Sequence, residues 1–301
     1  MPQIERNTTS LIKSKLDMKY YRLLLLVLML GITQFTIAQK KVLLKMIMAP
    51  NKTYKTLMTN VMDMEMTVKG DSAMIAQITS SGMQLPIVMH MTQDMVVSTK
   101  TGAQGTDKKM PITMTYDKVS LKQSVAGQET IQDTNPFADA VIEGSATADG
   151  KISVDTIKGS IDEALKTSLR QLVNTVQGNV KFPGSEMKVG DSFEQEVPMN
   201  LPIPQADMKM KINTKYILKE IKDNKAIFDL KHDIVMDLSM DQNDNKGNGV
   251  GTGMGIMVFD MSKNTLQQSD SDIRFTFDFA VSGMTMSATC KGKTSVKVNM
   301  Q

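Results

Sequence analysis

The chain reads as mainly β: a strongly twisted antiparallel sheet or half-barrel with one long helix packed against it, two β-sandwich halves being the alternative. Three observations lead there. Apolar and polar residues alternate with a period of two along most of the chain, which places them on opposite faces of half-buried strands. The alternating runs are separated by short turn-rich breaks at Gly70-Asp71, Thr101 to Asp107, Asp149-Gly150, Asp223-Asn224 and Asp241 to Gly249, too short for the crossovers that parallel strands need. One stretch, residues 160–176, changes to helical spacing.

Residues 18–39 have the layout of a secretory leader. Lys19 and Arg22 precede the unbroken apolar run Leu23 to Leu30, and Thr36-Ile37-Ala38 sets small residues three and one before a cut. The apolar run is shorter than the ~20 residues of a membrane span, and no cysteine follows it for lipid attachment. The expectation is cleavage after Ala38, with residues 1–38 comprising an N-terminal extension and the signal peptide. The product would be periplasmic or secreted, with no transmembrane anchor left. Residues 1–38 hold five of the 35 Lys and Arg and two of the 32 Asp and Glu, so thirty of each remain and the basic surplus disappears. Nucleic acid is therefore excluded as a partner, since it would need a retained basic face. The lone Cys290 precludes an internal disulfide and reads as a small buried hydrophobe.

After the leader, Met62, Met64, Met66 and Val68 alternate with Asp63, Glu65 and Thr67. Met208, Met210 and Ile212 alternate with Lys209, Lys211 and Asn213. The longest run sets Ala226, Phe228, Leu230, His232, Ile234, Met236, Leu238 and Met240 against Asp229, Lys231, Asp233, Asp237 and Ser239. Phe275, Phe277, Phe279 and Val281 form a further apolar face; after Ser282-Gly283 the parity flips to Met284, Met286, Ala288 and Cys290, as a bulge or tight turn requires. Ser160-Ile161-Asp162-Glu163 matches a capping box, Ile161, Leu165, Leu169, Leu172 and Val176 supply an apolar stripe, and Gly178 is a stop. The predicted organisation is an N-terminal β-rich half over 39–158, an amphipathic helix within 159–178 and a C-terminal β-rich half over 179–301.

Three segments carry a family resemblance. Val42-Leu43-Leu44-Lys45 leads to Lys52-Thr53-Tyr54-Lys55; Phe182-Pro183 is followed by Val189-Gly190-Asp191-Ser192-Phe193; and Gly249, Gly251, Gly253 and Gly255 run into Val258-Phe259-Asp260. In order and spacing these resemble an uncharacterised family of exported β-rich proteins from Bacteroidota, across nearly all of the chain after residue 38. The resemblance implies an exported β-rich protein and no particular activity.

Methionine is the compositional outlier: three of the 28 fall in residues 1–38, leaving 25 beyond them. Met46/Met48, Met62/Met64/Met66, Met89/Met91, Met208/Met210 and Met284/Met286 stand two apart, where strand residues share a face ~7 Å apart. Thioethers so placed suit Cu(I) or Ag(I), but methionine is also an adaptable core filler, and it occupies the apolar phase of nearly every strand. Adaptable lining on a curved sheet suits an apolar ligand, the half-open architecture of exported lipoprotein carriers being the fold-level analogy. The ligand-facing candidates are Met62, Met64, Met66, Met208 and Met210, with Gly251 and Gly253 on a strand face that glycines leave bare for a close approach, by a helix or second sheet in preference to a ligand. The function expected is a periplasmic binder or carrier of an acyl chain or another apolar ligand. The alternatives are a cell-envelope structural or interaction protein without ligand and a Met-rich Cu(I)/Ag(I) binder.

Nothing in the sequence points to an enzyme, a catalytic residue, a dedicated metal centre or a cofactor. It contains no Gly-x-Ser-x-Gly elbow, His-Glu-x-x-His, phosphate loop or dinucleotide fingerprint. His232 lies on the apolar strand phase, as a satisfied core histidine would. Asp241 to Gly247 lacks the glycine and distal glutamate of a calcium loop and reads as a polar turn.

Overall fold

The computed structural model describes residues 40–301 apart from 81–83, 133–134, 177–179, 204–205, 241–245 and 282–283, so the leader expected over 1–38 lies outside the described residues. The strands are β1 (Thr53–Lys69), β2 (Ile87–Thr101), β3 (Lys109–Val125), β4 (Gln128–Gln132), β5 (Val141–Thr147), β6 (Ile152–Lys158), β7 (Ser192–Ile203), β8 (Ala206–Lys222), β9 (Lys225–Met240), β10 (Lys246–Asp260), β11 (Thr265–Val281) and β12 (Met284–Met300). Helix α1 (Ser72–Ser80) lies between β1 and β2, and α2 (Glu163–Val176) between β6 and β7.

All the strands join one antiparallel sheet in the order β6-β5-β3-β2-β1-β12-β11-β10-β9-β8-β7, with β4 beside β3. Neighbouring strands are consecutive in sequence except where β5 pairs with β3 past β4, and at the centre, where β1 pairs with β12 from Tyr54↔Met300 to Lys69↔Thr285. The two β-rich halves are therefore contiguous parts of a single sheet, and the alternative of two sandwiches does not form. The parity flip after Val281 is a hairpin, Val281 pairing with Met284 across two residues outside the described set.

Alternation fixes which face is hidden. Along β9, Ala226, Phe228, Leu230, Ile234 and Met236 are buried, whereas Lys231, Asp233, Val235 and Asp237 are exposed. One core gathers Leu218, Phe228, Met257 and Phe259 from β8 to β10, together with Leu44 and Met187 from outside the strands. Phe182 stands 4.8 Å from Phe259, and Phe193 stacks on Tyr216 at 4.7 Å. A second core sets Leu169 and Val173 of α2 against Tyr116, Ala140, Ile142 and Ile157. Both cores lie on the same face of the sheet, the apolar one.

The sheet curls towards that face. Adjacent residues Ile47 and Met48 donate to Asn264 O and Ala148 O, each at 2.8 Å, so those two carbonyls lie within about 10 Å of each other. Asn264 immediately precedes β11 and Ala148 immediately follows β5. These strands are five steps apart, ~24 Å in a flat sheet. The segment 42–48, paired with Met187 through Val42 and packed into the first core through Leu44, thus straps one end of an open half-barrel.

Helix α2 differs from expectation at its start. Asp162 is the cap: its Oδ1 accepts from Leu165 N at 2.7 Å and its carbonyl from Lys166 N at 3.0 Å. Starting after Asp162 leaves Ile161 in the preceding chain, free to pack into the second core. Gly178 lies outside the described residues. Val173, which the expected stripe omits, is buried at 5% exposure. Helix α1 was not expected; Asp71 caps it, accepting from Ala73 N at 2.8 Å.

The strap separates its two leucines sharply, Leu44 being 4% exposed and Leu43 63%. In chemical denaturation, Leu44→Ala is expected to cost about 2–5 kcal/mol, whereas Leu43→Ala should stay within about 0.5 kcal/mol.

Candidate functional site

The strand register brings the candidate residues onto one surface. Met64 lies between Met89 of β2 and Cys290 of β12, and the same row continues through Phe275, Gly251, Ile234 and Ile212. The adjacent rows hold Met91, Met62, Gly292, Ile273, Gly253 and His232 on one side, and Met66, Ala288, Phe277, Gly249, Met236 and Met210 on the other. Met208 takes the following row, opposite Leu238; its side chain lies outside the description. Because a one-residue slip would turn every side chain over, this continuity across seven strands fixes the candidates other than Met208 on the apolar, concave face.

Burial along that face is graded. Near the strap, Leu218, Phe228 and Phe259 have no exposed surface and Met257 has 1%. On β1, β2 and β11, farther from the strap, Met62, Met64, Met66, Met89, Met91, Phe275, Phe277 and Phe279 are only partly buried. The three phenylalanines form a stacked ladder with ring centres 6.2 and 5.7 Å apart. Cys290 is wholly buried among them, and burial pushes its thiol up to about 11.

The glycine row has a specific neighbour. A Cβ on Gly249 would stand 2.8 Å from Phe277 Cβ and 2.8 Å from Thr276 O, and one on Gly253 would stand 2.7 Å from Asp272 O. At Gly251 the nearest atom, Phe275 Cβ, is closer still. What approaches the glycines is the next strand, β11, and not the helix or a second sheet anticipated there. Strands β10 and β11 meet at a crease too sharp for any side chain, which tightens the concavity and presents Phe275 and Phe277 over Gly251 and Gly249. Gly251 and Gly253 thus shape the trough.

His232 borders the crease. Its Nδ1 lies 2.9 Å from the Thr214 hydroxyl and its Nε2 3.0 Å from the Ser271 hydroxyl, the satisfied core histidine that its strand phase indicates. Burial lowers its pKa, with Asp233 partly opposing. The second histidine, His90, is on the opposite face, 2.6 Å from Asp63 Oδ1 and 3.4 Å from the Thr92 hydroxyl, in an exposed arrangement.

That opposite face is charged. A depression of about 970 Å³ at mid-strand is lined there by Asp63, Lys231, Asp233, Arg274, Lys291 and Lys293 among others. Another, of about 720 Å³, lies between the strap residues Leu43 to Met46, Asp149 to Lys151 and Val180 to Gly184. Among the described residues no group of three or more His, Cys, Asp or Glu side chains is placed to hold a metal ion, and no helix is long and apolar enough to cross a membrane.

No protein-family model matches the chain, and no curated protein does. Among solved structures it is similar to Pseudomonas aeruginosa OccK5 (OpdH), at 5% identity and a TM-score of 0.26 over 81% of this chain and 98% of that one. It is similar also to Pseudomonas aeruginosa OccK7 (OpdD), at 6% identity and a TM-score of 0.21 over 83% and 99%, and to Acinetobacter baumannii OccAB4, at 7% identity and 0.19 over 83% and 98%.

Two measurements check this geometry. Gly251→Ala should destabilise by about 1–3 kcal/mol through overpacking, whereas Gly184→Ala, which meets nothing within 4 Å, should cost far less. A histidine held below its ordinary value of 6.5 supports folding while neutral; that support is complete above the unfolded pKa and declines as pH falls from there towards the folded one. Unfolding free energy should therefore drop as pH falls below the ordinary value of 6.5, and His232→Gln should flatten part of that slope.

Proposed function

We propose that the protein is an exported carrier that holds an acyl chain against the concave face of its half-barrel. The observation carrying the reading is the burial gradient: apolar side chains near the strap are sealed, while Met62, Met64, Met66, Phe275, Phe277 and Phe279 remain partly open on the same face. From Met62 to Val68, and equally from Ile273 to Phe279, the half-open surface runs six residues, ~20 Å along the strand, a length suited to a long acyl chain. Unbranched methionines adapt to such a chain without a fixed shape of their own. The strap and the aromatic cluster of Phe182, Phe193 and Phe259 stop one end of the trough.

The convex face tells against a barrel set in lipid. Asp63, Glu65, Asp233, Arg274, Lys291 and Lys293 are exposed along it, and charges at mid-strand on a lipid-facing surface cost about 2–4 kcal/mol for Arg or Lys at the midplane. Export rests on the leader layout of residues 18–39, and agrees with the family the sequence resembles. A second reading, an interaction protein of the cell envelope, draws on one feature: among the described residues β6 and β7 end the sheet as edges with a strand on one side only.

Lipid extraction and mass spectrometry of the natively purified protein should recover an acyl-chain compound, and a fluorescent fatty acid should bind and be displaced by it. Met64→Asp together with Phe277→Asp should weaken that binding at least about tenfold by placing charge in the trough. A protein that yields no lipid and does not take up the probe is not a carrier, and pull-down of an envelope protein through β6 or β7 would then favour the second reading.

A further inference from the structure

We propose that Met62 and Met64 of β1 and Met89 and Met91 of β2 form a thioether site for one monovalent soft metal ion, Cu(I) or Ag(I). Register carries the inference: Met62 pairs with Met91 and Met64 with Met89. Direct partners on an antiparallel pair have Cβ atoms ~4.5–5.5 Å apart, and residues two apart on one strand ~7 Å. Four methionines thus stand at the corners of one small rectangle on the concave face. All four are partly buried, so an ion can enter from the trough. Each side chain has three rotatable bonds and a polarisable sulfur, which lets four sulfurs turn inward over the centre.

The surroundings select the ion. Asp63, Glu65 and His90 share these two strands but are exposed on the opposite face, so the rectangle offers soft donors without hard ones. Four neutral thioethers bring no charge of their own, and a single positive charge is cheaper than two to hold at a partly desolvated apolar surface. Cys290 neighbours Met64 on β12, wholly buried. Its side chain has no exposed surface, whereas the four methionines border the trough, so the ligands assigned are the methionines. This site rests on the pairing of β1 with β2 and stands apart from the carrier reading, although an ion and an acyl chain would compete for the same lining.

The test is titration of the purified protein with Ag(I), and with Cu(I) under reducing conditions, followed by native mass spectrometry and by methyl NMR of the methionines. One equivalent should bind, moving the methyl signals of Met62, Met64, Met89 and Met91 most. Met89→Leu combined with Met91→Leu, a volume-conserving change that the sheet tolerates, should weaken binding on the order of a hundredfold. Cys290→Ala and Met254→Leu, the latter on the convex face, should leave it unchanged. Absence of binding to the wild-type protein, methyl shifts elsewhere, or binding that survives the double substitution with circular dichroism unaltered would overturn the proposal. So would its loss in Cys290→Ala, which would assign the ion to the thiol.

Discussion

The pairing of β1 with β12 is the interaction on which the rest of the molecule depends. It joins the first strand to the last over sixteen registered residues, from Tyr54↔Met300 to Lys69↔Thr285, and makes one surface of what would otherwise be two meanders. It also brings Met64 beside Cys290 and Met66 beside Ala288, joining the methionine strands of the N-terminal half to the phenylalanine ladder of the C-terminal half. Contacts of such sequence separation form late and at high entropic cost, yet once formed they leave both β1 and β12 without a free edge. Among the described residues the path of the sheet then ends at β6 and β7, the strands that α2 connects along the chain, with β4 a further edge beside β3.

Curvature follows from two local features acting at different places. At the crease, glycines on β10 let β11 approach more closely than side chains permit, so the sheet turns sharply between Gly249 and Gly255. At the end, the strap draws the start of β11 and the end of β5 together through Ile47 and Met48. The crease bends the surface and the strap holds the bend. Near the strap Phe228 and Phe259 are sealed, while on β1 and β11 farther from it Met64 and Phe277 stay partly open.

Much of this was legible in the sequence because the side-chain period of a strand is two. The exposed Asp63 and Glu65, the half-buried Met62 to Met66 and the buried run Ala226 to Met236 all lie as their alternation dictates. Register was not legible. The connection from β1 to β2 passes through α1, whose Asp71 cap resembles an ordinary turn residue, and no periodicity reveals that Met91 comes to rest opposite Met62. The methionine pairs therefore look scattered along the chain, although two of them meet face to face. The glycine row was legible as a close approach but not as to its neighbour, since the sequence of β10 does not specify which strand crosses it. The strap was hidden for another reason: Val42 to Met48 lacks a regular partner strand and acts through single hydrogen bonds and one buried leucine.

An apolar ligand and a soft ion make different demands on the concave face, and methionine answers both. Leucine at these positions would supply equal hydrophobicity with a fixed branched shape and no donor atom, whereas methionine supplies an unbranched chain that ends in a polarisable sulfur. Where the interior is sealed, the protein uses both kinds of residue: Phe228, Phe259, Leu218 and Ile142 are fully buried, and Met110 and Met257 are equally hidden. Where the face is open, it uses Met62, Met64, Met66, Met89 and Met91. Sealed cores gain from shape complementarity, and an unfilled surface gains from lining that can rearrange around what enters. The sealed residues lie on β3, β5 and β8 to β10 and the half-open methionines on β1 and β2, so burial changes across the sheet, between the strands that hold the fold together and those on which the proposed carrier role depends.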